Sequence, residues 1–168
     1  MGIAIVRADY AVPAHAQALV SLLDAYAHDP AGGGAPLGEF AKTHVVAGLA
    51  QRSHAFSVLA FEGEPNQTEA IGLVNCFEGF STFAARPLVN VHDVVVLPSH
   101  RGQRLAQQML ALVETIARER GACKLTLEVL AGNHNAQRLY QRLGFAAYQL
   151  QPELGHAQFL QKWLDVQP

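Results

Sequence analysis

The stretch HDVVVLPSHRGQRLAQQML, residues 92–110, decides the fold. Residues 94–97 are apolar without a break, and Pro98 stops them because proline has no N–H to give a sheet ladder. Leu105, Met109, Leu112, Val113 and Ile116 then recur at the spacing of one helix face. Gly121 ends that helix, with Arg118 and Arg120 in its last turn, where positive charge suits the helix dipole. A buried strand therefore feeds a helix spanning 102–120 through a short turn. A helix start carries N–H groups without intrahelical acceptors and a partial positive charge. Gly102 lets an anionic group of another molecule approach the backbone, and Arg101 and Arg104 add positive charge. The junction predicts a phosphate or pyrophosphate on the amides of residues 102–107, with an ordinary solvated helix start as the alternative from this stretch alone. Neither G-x-G-x-x-G nor G-x-x-x-x-G-K-[ST] occurs, so neither a dinucleotide fold nor a P-loop is indicated.

Outward from the junction, residues 3–9 read as a strand, and Pro13 opens a helical run with Leu19, Leu22, Leu23 and Tyr26 at helix spacing. HDPAGGGAP (28–36) is a glycine-rich break, and 37–51 reads as a second helix. Residues 54–61 and 70–77 form a hairpin across a polar turn, and 78–87 reads as a loop. A strand at 124–130, a short helix at 133–143 closed by Gly144, and two last strands at 145–150 and 157–163 complete the chain. The order is β-α-α-β-β-β-α-β-α-β-β, a mixed α/β fold in one domain spanning 1–168.

Composition narrows the function classes. The chain has 168 residues, of which 50% are hydrophobic and 15% charged, as expected of a globular domain with a sizeable core. A net charge of −2 without any run of Lys or Arg gives no electrostatic footprint for nucleic acid. No apolar run approaches the roughly 20 residues of a membrane span, and no secretory signal is visible at the start. Cys76 and Cys123 lie far apart without metal spacing and read as two buried thiols in a reducing cytosol, with a disulfide between them as the alternative. None of the 8 histidines forms H-x-x-x-H or H-E-x-x-H, so no metal site is expected.

The second decisive stretch is GNHNAQRLYQRLGF, residues 132–145. Together the two stretches resemble the GNAT family of N-acetyltransferases. The first matches strand–Pro-x-x-Arg-Gly-x-x-Leu-Ala–helix, and the second matches Asn-x-x-Ala-x-x-Leu-Tyr-x-x-x-Gly-Phe, in the family's order and separation. Within the family, EGFSTFAARP (78–87) preceding VNVHDVVVLP (89–98) looks most like the diamine (spermidine/spermine) acetyltransferase branch. The resemblance implies a central, mostly antiparallel sheet with a splayed parallel strand pair, and acetyl-CoA as donor substrate without a metal. It implies that the pyrophosphate lies on the amides of Arg101, Gly102, Gln103, Arg104, Leu105, Ala106 and Gln107. Arg104 stands where the family's loop usually has Gly, whereas Ala106 fits the pattern.

The resemblance also distributes the chemistry. The strand carrying Val94, Val95 and Val96 would splay from its parallel neighbour, so that backbone groups at Val94 and Val96 pair with the pantetheine arm and an amide there polarises the thioester carbonyl. Tyr140 occupies the place of the general acid that protonates the departing thiolate, and Asn133 and Ala136 approach the pantetheine and phosphate end. Asn133 also reads as the N-cap of its own helix. The base is open between His92, Asp93, Glu128 and a water chain. Period-2 alternation puts His92 on the face of Val94 and Val96, with Asp93 opposite. His92 stands where diamine acetyltransferases have an acidic residue, and a neutral imidazole can accept a proton. Asp24, His28, Asp29 and Glu153 fall in regions that build the acceptor pocket of the fold.

The expected activity is transfer of acetyl from acetyl-CoA to a small-molecule or peptide primary amine, in the cytoplasm, with neither nucleic acid nor membrane as partner. The rival is a non-catalytic acyl-CoA-binding domain. Relatives in the family pair as homodimers through C-terminal strands, which makes AQFLQKWL (157–164) the candidate interface.

Overall fold

Apolar runs buried on both faces become the centre of a sheet. In the computed structural model, which describes residues 2–64, 69–148 and 151–164, five strands form that sheet. They are β1 (Ile3–Arg7), β2 (Ala55–Glu62), β3 (Ala70–Ser81), β4 (Arg86–Val96) and β5 (Leu125–Leu127), in spatial order of sequence. All neighbours are antiparallel except β4 and β5, which run parallel. Helices α1 (Pro13–His28), α2 (Glu39–Ala50) and α3 (Leu105–Glu119) belong to the same unit, residues 1–127. Residues 128–168 form a second unit with the short helix α4 (His134–Arg142).

Each face of the sheet has its own cover. Leu19 and Leu22 of α1 and Leu49 of α2 pack with Leu59, Phe61, Leu73 and Val95 on one face. On the other lies α3, whose Met109 sits so close to β3 that a Cβ on Gly72 would meet its Cε at 2.8 Å. Gly72 is therefore a packing glycine that lets helix and sheet approach. At the end of α3, Gly121 takes φ 73°, and the amides of Gly121 and Ala122 return to the carbonyls of Arg118 and Ala117 at 2.9 Å each. These are the two bonds of a Schellman stop, which favours glycine at its left-handed position. Among the described residues no helix is long and apolar enough to cross a membrane.

The mixed α/β class and the element order through α4 agree with the sequence reading. Four local expectations do not. Residues 78–87 are not a loop: β3 continues to Ser81, which pairs with Arg86, and residues 82–85 make the turn with Ala85 at φ 50°. The helix expected from 102 starts at Leu105, because Gly102 and Arg104 take left-handed φ of 82° and 60°. Cys123 is exposed and only Cys76 is buried; both are free thiols. Finally, no strand forms among the described residues of 145–150 or 157–163, residues 149–150 lying outside them. A strand persists where a ladder partner satisfies its backbone. In the tail the Ala157 amide meets the Tyr148 carbonyl at 3.4 Å, but no ladder builds on it among the described residues, and Phe159, Leu160, Trp163 and Leu164 stand exposed.

Candidate active site

The edge of β4 organises the candidates of the first unit. Its pairing with β5 covers three positions only, Val89↔Leu125, Asn90↔Thr126 and Val91↔Leu127. From His92 onward that edge has no ladder partner among the described residues. Leu97 donates its amide to Ile71 of β3 at 3.0 Å, so alternation turns the backbone groups of Val95 toward β3 and those of Val94 and Val96 toward the open edge. Val95 is a core residue, buried on the α1 side. The Val96 carbonyl already accepts from Arg101 Nε at 3.2 Å.

Beyond β4 the chain makes a single 3-10 turn, Pro98–His100, and enters α3. Arg101 donates its own amide to the Pro98 carbonyl at 3.3 Å. The first α3 bond joins the Gln108 amide to the Arg104 carbonyl at 3.1 Å, so the amides of Leu105, Ala106 and Gln107 precede any intrahelical acceptor. Arg104 is the N-cap residue and has no acceptor with which to cap them. Its left-handed backbone costs roughly 1–2 kcal/mol in a residue with a Cβ. These three amides, the exposed Gly102 before them and the exposed Arg104 suit an anionic group.

A β-bulge corrects the expected facing of His92 and leaves that of Asp93, opposite Val94, as expected. Asn75 pairs with Asp93 but Cys76 with Val91, so His92 is an extra residue in β4. An extra residue resets the alternation. Asp93 falls two residues before Val95 and shares its α1-covered face. His92 meets the ring of Phe77 edge-on, with centroids 5.2 Å apart, and Phe77 packs against the same α1-side cluster. His92 and Asp93 thus lie on one face, opposite Val94. Asp93 ends a polar row across that face. Tyr10 Oη lies 2.9 Å from Ser57 Oγ, Ser57 Oγ donates to Asn75 Oδ1 at 2.6 Å, and Asn75 Nδ2 donates to Asp93 Oδ2 at 3.0 Å.

The corner after α1 approaches the same face. Tyr26 is held above the ordinary tyrosine range by its burial, then by the negative charges of Asp93 and Asp29. Gly32 lies so close to the Tyr26 carbonyl that a Cβ there would sit 1.9 Å from its oxygen. Asp29 accepts from Arg101 Nη2 at 2.8 Å and from the Ala31 amide at 2.9 Å, which together hold its carboxyl below the usual range, Arg101 first. Asp24 accepts from the Leu37 amide at 2.8 Å and faces Lys42 Nζ at 3.3 Å, so it pins the loop after α1. His28 turns its Nδ1 to the Asp24 carbonyl at 2.7 Å.

In the second unit, α4 carries the remaining candidates. Asn133 Oδ1 accepts from the Ala136 amide at 3.2 Å, so Asn133 is the N-cap. Tyr140 is buried and meets Phe145 edge-on at 5.7 Å. The Phe145 amide returns to the Tyr140 carbonyl at 2.9 Å and the Gly144 amide to Gln141 at 3.0 Å, a second Schellman stop with its usual apolar contact. This explains the spacing from Tyr140 to Gly144-Phe145 on structural grounds alone. Glu153 lies in an exposed 3-10 turn, Pro152–Leu154.

Comparison with known proteins gives the family of a chain with this strand edge, helix start and α4 motif. The model of the acetyltransferase (GNAT) family matches residues 18–145. The chain belongs to the GNAT family. A thialysine N-epsilon-acetyltransferase from Bos taurus is 31% identical over 87 residues, 52% of this chain and 51% of that protein. An aminoalkylphosphonate N-acetyltransferase from Salmonella typhimurium is 32% identical over 77 residues, 46% of this chain and 50% of that protein. The chain thus spans about half the length of these curated relatives. Among solved structures, the aminoglycoside acetyltransferase AAC(6')-Iy in complex with a bisubstrate CoA analogue superposes with TM-score 0.73 at 20% identity, covering 98% of this chain and 100% of that one. That likeness is one of fold.

Within this GNAT chain, Tyr10, Ser57, Asn75 and Tyr26 escape the sequence reading. Ser57 and Asn75 leave one signal, a polar residue inside an otherwise apolar strand, AFSVLAFE and AIGLVNCF. A hollow of about 460 Å³ lies at the Tyr10 end of the row, lined by Arg7, Asp9, Tyr10, Arg52 and Phe56 among others, and holds none of the residues expected to carry the chemistry.

Proposed function

We propose that the chain is an N-acetyltransferase that moves the acetyl group of acetyl-CoA to a primary amine by direct attack in a ternary complex. The observation that carries this reading is the continuity of the open β4 edge, the bulge at His92 and the uncapped start of α3. The amides of Leu105, Ala106 and Gln107 hold the pyrophosphate, Gly102 permits its approach, Gln103 and Arg104 flank it, and Arg101 braces the turn. Backbone groups of Val94 and Val96 align the pantetheine arm, and an amide on that edge donates to the oxyanion that develops on the thioester carbonyl. The family motif assigns Asn133 and Ala136 of α4 to the same arm.

In the reaction, the amine nitrogen attacks the acetyl carbonyl carbon, a C–N bond forms, and the C–S bond breaks with its electron pair on sulfur. His92 takes the proton that the ammonium must lose before attack, Tyr140 gives one to the departing thiolate, and the proton that the nitrogen sheds as the amide forms restores the Tyr140 phenol. Burial, with the charge of Asp93 second, pushes the Cys76 thiol up to about 12, so it stays protonated and is no acyl carrier at neutral pH. That supports direct transfer. The relatives' substrates, thialysine and an aminoalkylphosphonate, support a small amine as acceptor. The exposed Phe159, Leu160, Trp163 and Leu164 support pairing of two copies through 157–164, and two free thiols suit a reducing cytoplasm.

The test is product mass and thiol release with acetyl-CoA and a panel of primary amines, on the wild type and on Tyr140→Phe. The reading expects one acetyl group on the amine, and in Tyr140→Phe a turnover loss of about 100-fold or more with acetyl-CoA affinity retained. Acetyl-CoA binding without amine-dependent release would instead favour a sensing domain, and unchanged turnover in Tyr140→Phe would remove it as the acid.

A further inference from the structure

The polar row on the α1 side interrupts an otherwise apolar face of the sheet. Leu59, Leu73 and Val95 form an apolar cross-strand row on this face, and the next row along the same strands is Ser57, Asn75 and Asp93. Ser57 is 0% and Asn75 3% exposed, so both hydroxyl and amide have left water. A buried polar group is tolerated when its partners are supplied. Here they are. The Ser57 hydroxyl gives its one proton to Asn75 Oδ1, so it can only accept from the Tyr10 hydroxyl. Asn75 then gives an amide proton to Asp93 Oδ2. All three donors point the same way and end on the carboxylate, an arrangement in which each bond polarises the next.

We infer that Tyr10, Ser57 and Asn75 are positioning residues that fix the Asp93 carboxylate toward the acceptor amine; this rests on the acetyl-transfer reading above. Asp93 directly follows the bulged His92 and precedes Val94, so the row reaches β4 where the proposed base meets the proposed thioester edge. Occupying one carboxylate oxygen leaves the other to meet an ammonium. Tyr26 of α1 senses that charge, since Asp93 is the first charged group raising its phenol. A carboxylate free to rotate would offer the amine several geometries, only some of them beside His92. The row selects one. Asp93 is then the residue that touches the acceptor, and the three behind it act through it.

A double-mutant cycle tests this. Asn75→Leu keeps the volume and removes the donor; Asp93→Asn keeps the shape and removes the charge. Asn75→Leu is expected to lower kcat/KM for the amine roughly 10- to 100-fold, the size of one hydrogen bond to a charged group, with acetyl-CoA affinity by calorimetry unchanged. Added to Asp93→Asn it is expected to cost nothing more. Effects that multiply, or a loss confined to acetyl-CoA affinity, would overturn the inference. Where Asn75→Leu folds poorly, Ser57→Ala serves, with a smaller loss that also vanishes in the Asp93→Asn background. The row itself is read without turnover, from the Asn75 side-chain amide by NMR. One proton is expected to be protected from exchange in the wild type and to lose protection in Asp93→Ala; rapid exchange in both would overturn the row. A protected amide in a protein that acetylates no amine would retire the acetyl-transfer reading, and the positioning role with it.

Discussion

The two faces of one sheet meet different demands. Toward α3, β2 to β4 present Val58, Val74, Cys76, Val89 and Val91, and α3 answers with Met109 and Val113, all of them buried. Toward α1, the same strands carry an apolar row and then Ser57, Asn75 and Asp93. Folding alone accounts for the first face, where burial is apolar and continuous. It does not account for the second, where apolar side chains of similar volume would remove the need to match each donor with an acceptor. What separates them further is the bulge at His92, which brings the His92 side chain to the α1 side next to Asp93 and the open edge of β4.

The largest expected effect breaks the α3 side. Met109→Ala removes a fully buried side chain pressed against Gly72 and should cost about 2–5 kcal/mol, read as the shift in a urea midpoint. Turnover per folded molecule should hold, and a selective loss of turnover would blur the distinction between the faces.

A second probe on that face uses pH. The unfolded chain loses the Cys76 proton near pH 9, whereas the folded chain keeps it until about 12. Across that window the folded state binds the extra proton, so stability falls as pH rises, by at most about 1.4 kcal/mol per unit from this group. Below pH 9 the group contributes no slope. The difference between wild type and Cys76→Ala across the window isolates it, and parallel curves would show that the thiol is open to water.

The smallest effect concerns the turn into α3. Arg104→Gly relieves a left-handed backbone, offset in part by the freedom that glycine adds to the unfolded chain, so melting should show a gain of no more than about 1 kcal/mol. Weaker acetyl-CoA binding in the same variant would identify the guanidinium as a phosphate contact, while unchanged binding would leave the backbone amides as the cradle.

The parts of this picture legible in the sequence are those written in consecutive residues. The period of Leu105, Met109, Val113 and Ile116 announces α3, and the spacing Tyr140–Gly144-Phe145 announces a closed helix, because both patterns are local. The bulge is a property of two strands. Nothing in VHDV marks His92 as the extra residue until Asn75 and Cys76 are set opposite it, and simple alternation therefore places Asp93 rightly, opposite Val94, but misassigns the face of His92. The hairpin through residues 78–87 is hidden for a related reason, since Glu-Gly-Phe-Ser has no alternation and its strand character comes from the partner. In 157–163 the alternation is visible, but alternation without a ladder partner makes no strand. Ser57 and Asn75 are visible only as interruptions, and their direction toward Asp93 needs the register.

One measurement tests the separation of the two faces most directly: melting temperature and amine-dependent thiol release on the same preparation of Asp93→Asn. The substitution keeps an oxygen for Asn75 to donate to, so melting should stay within a few degrees, about 1 kcal/mol, while kcat/KM for the amine falls roughly 10-fold or more. A collapse in melting temperature with turnover per folded molecule intact would contradict the account and make Asp93 a structural residue.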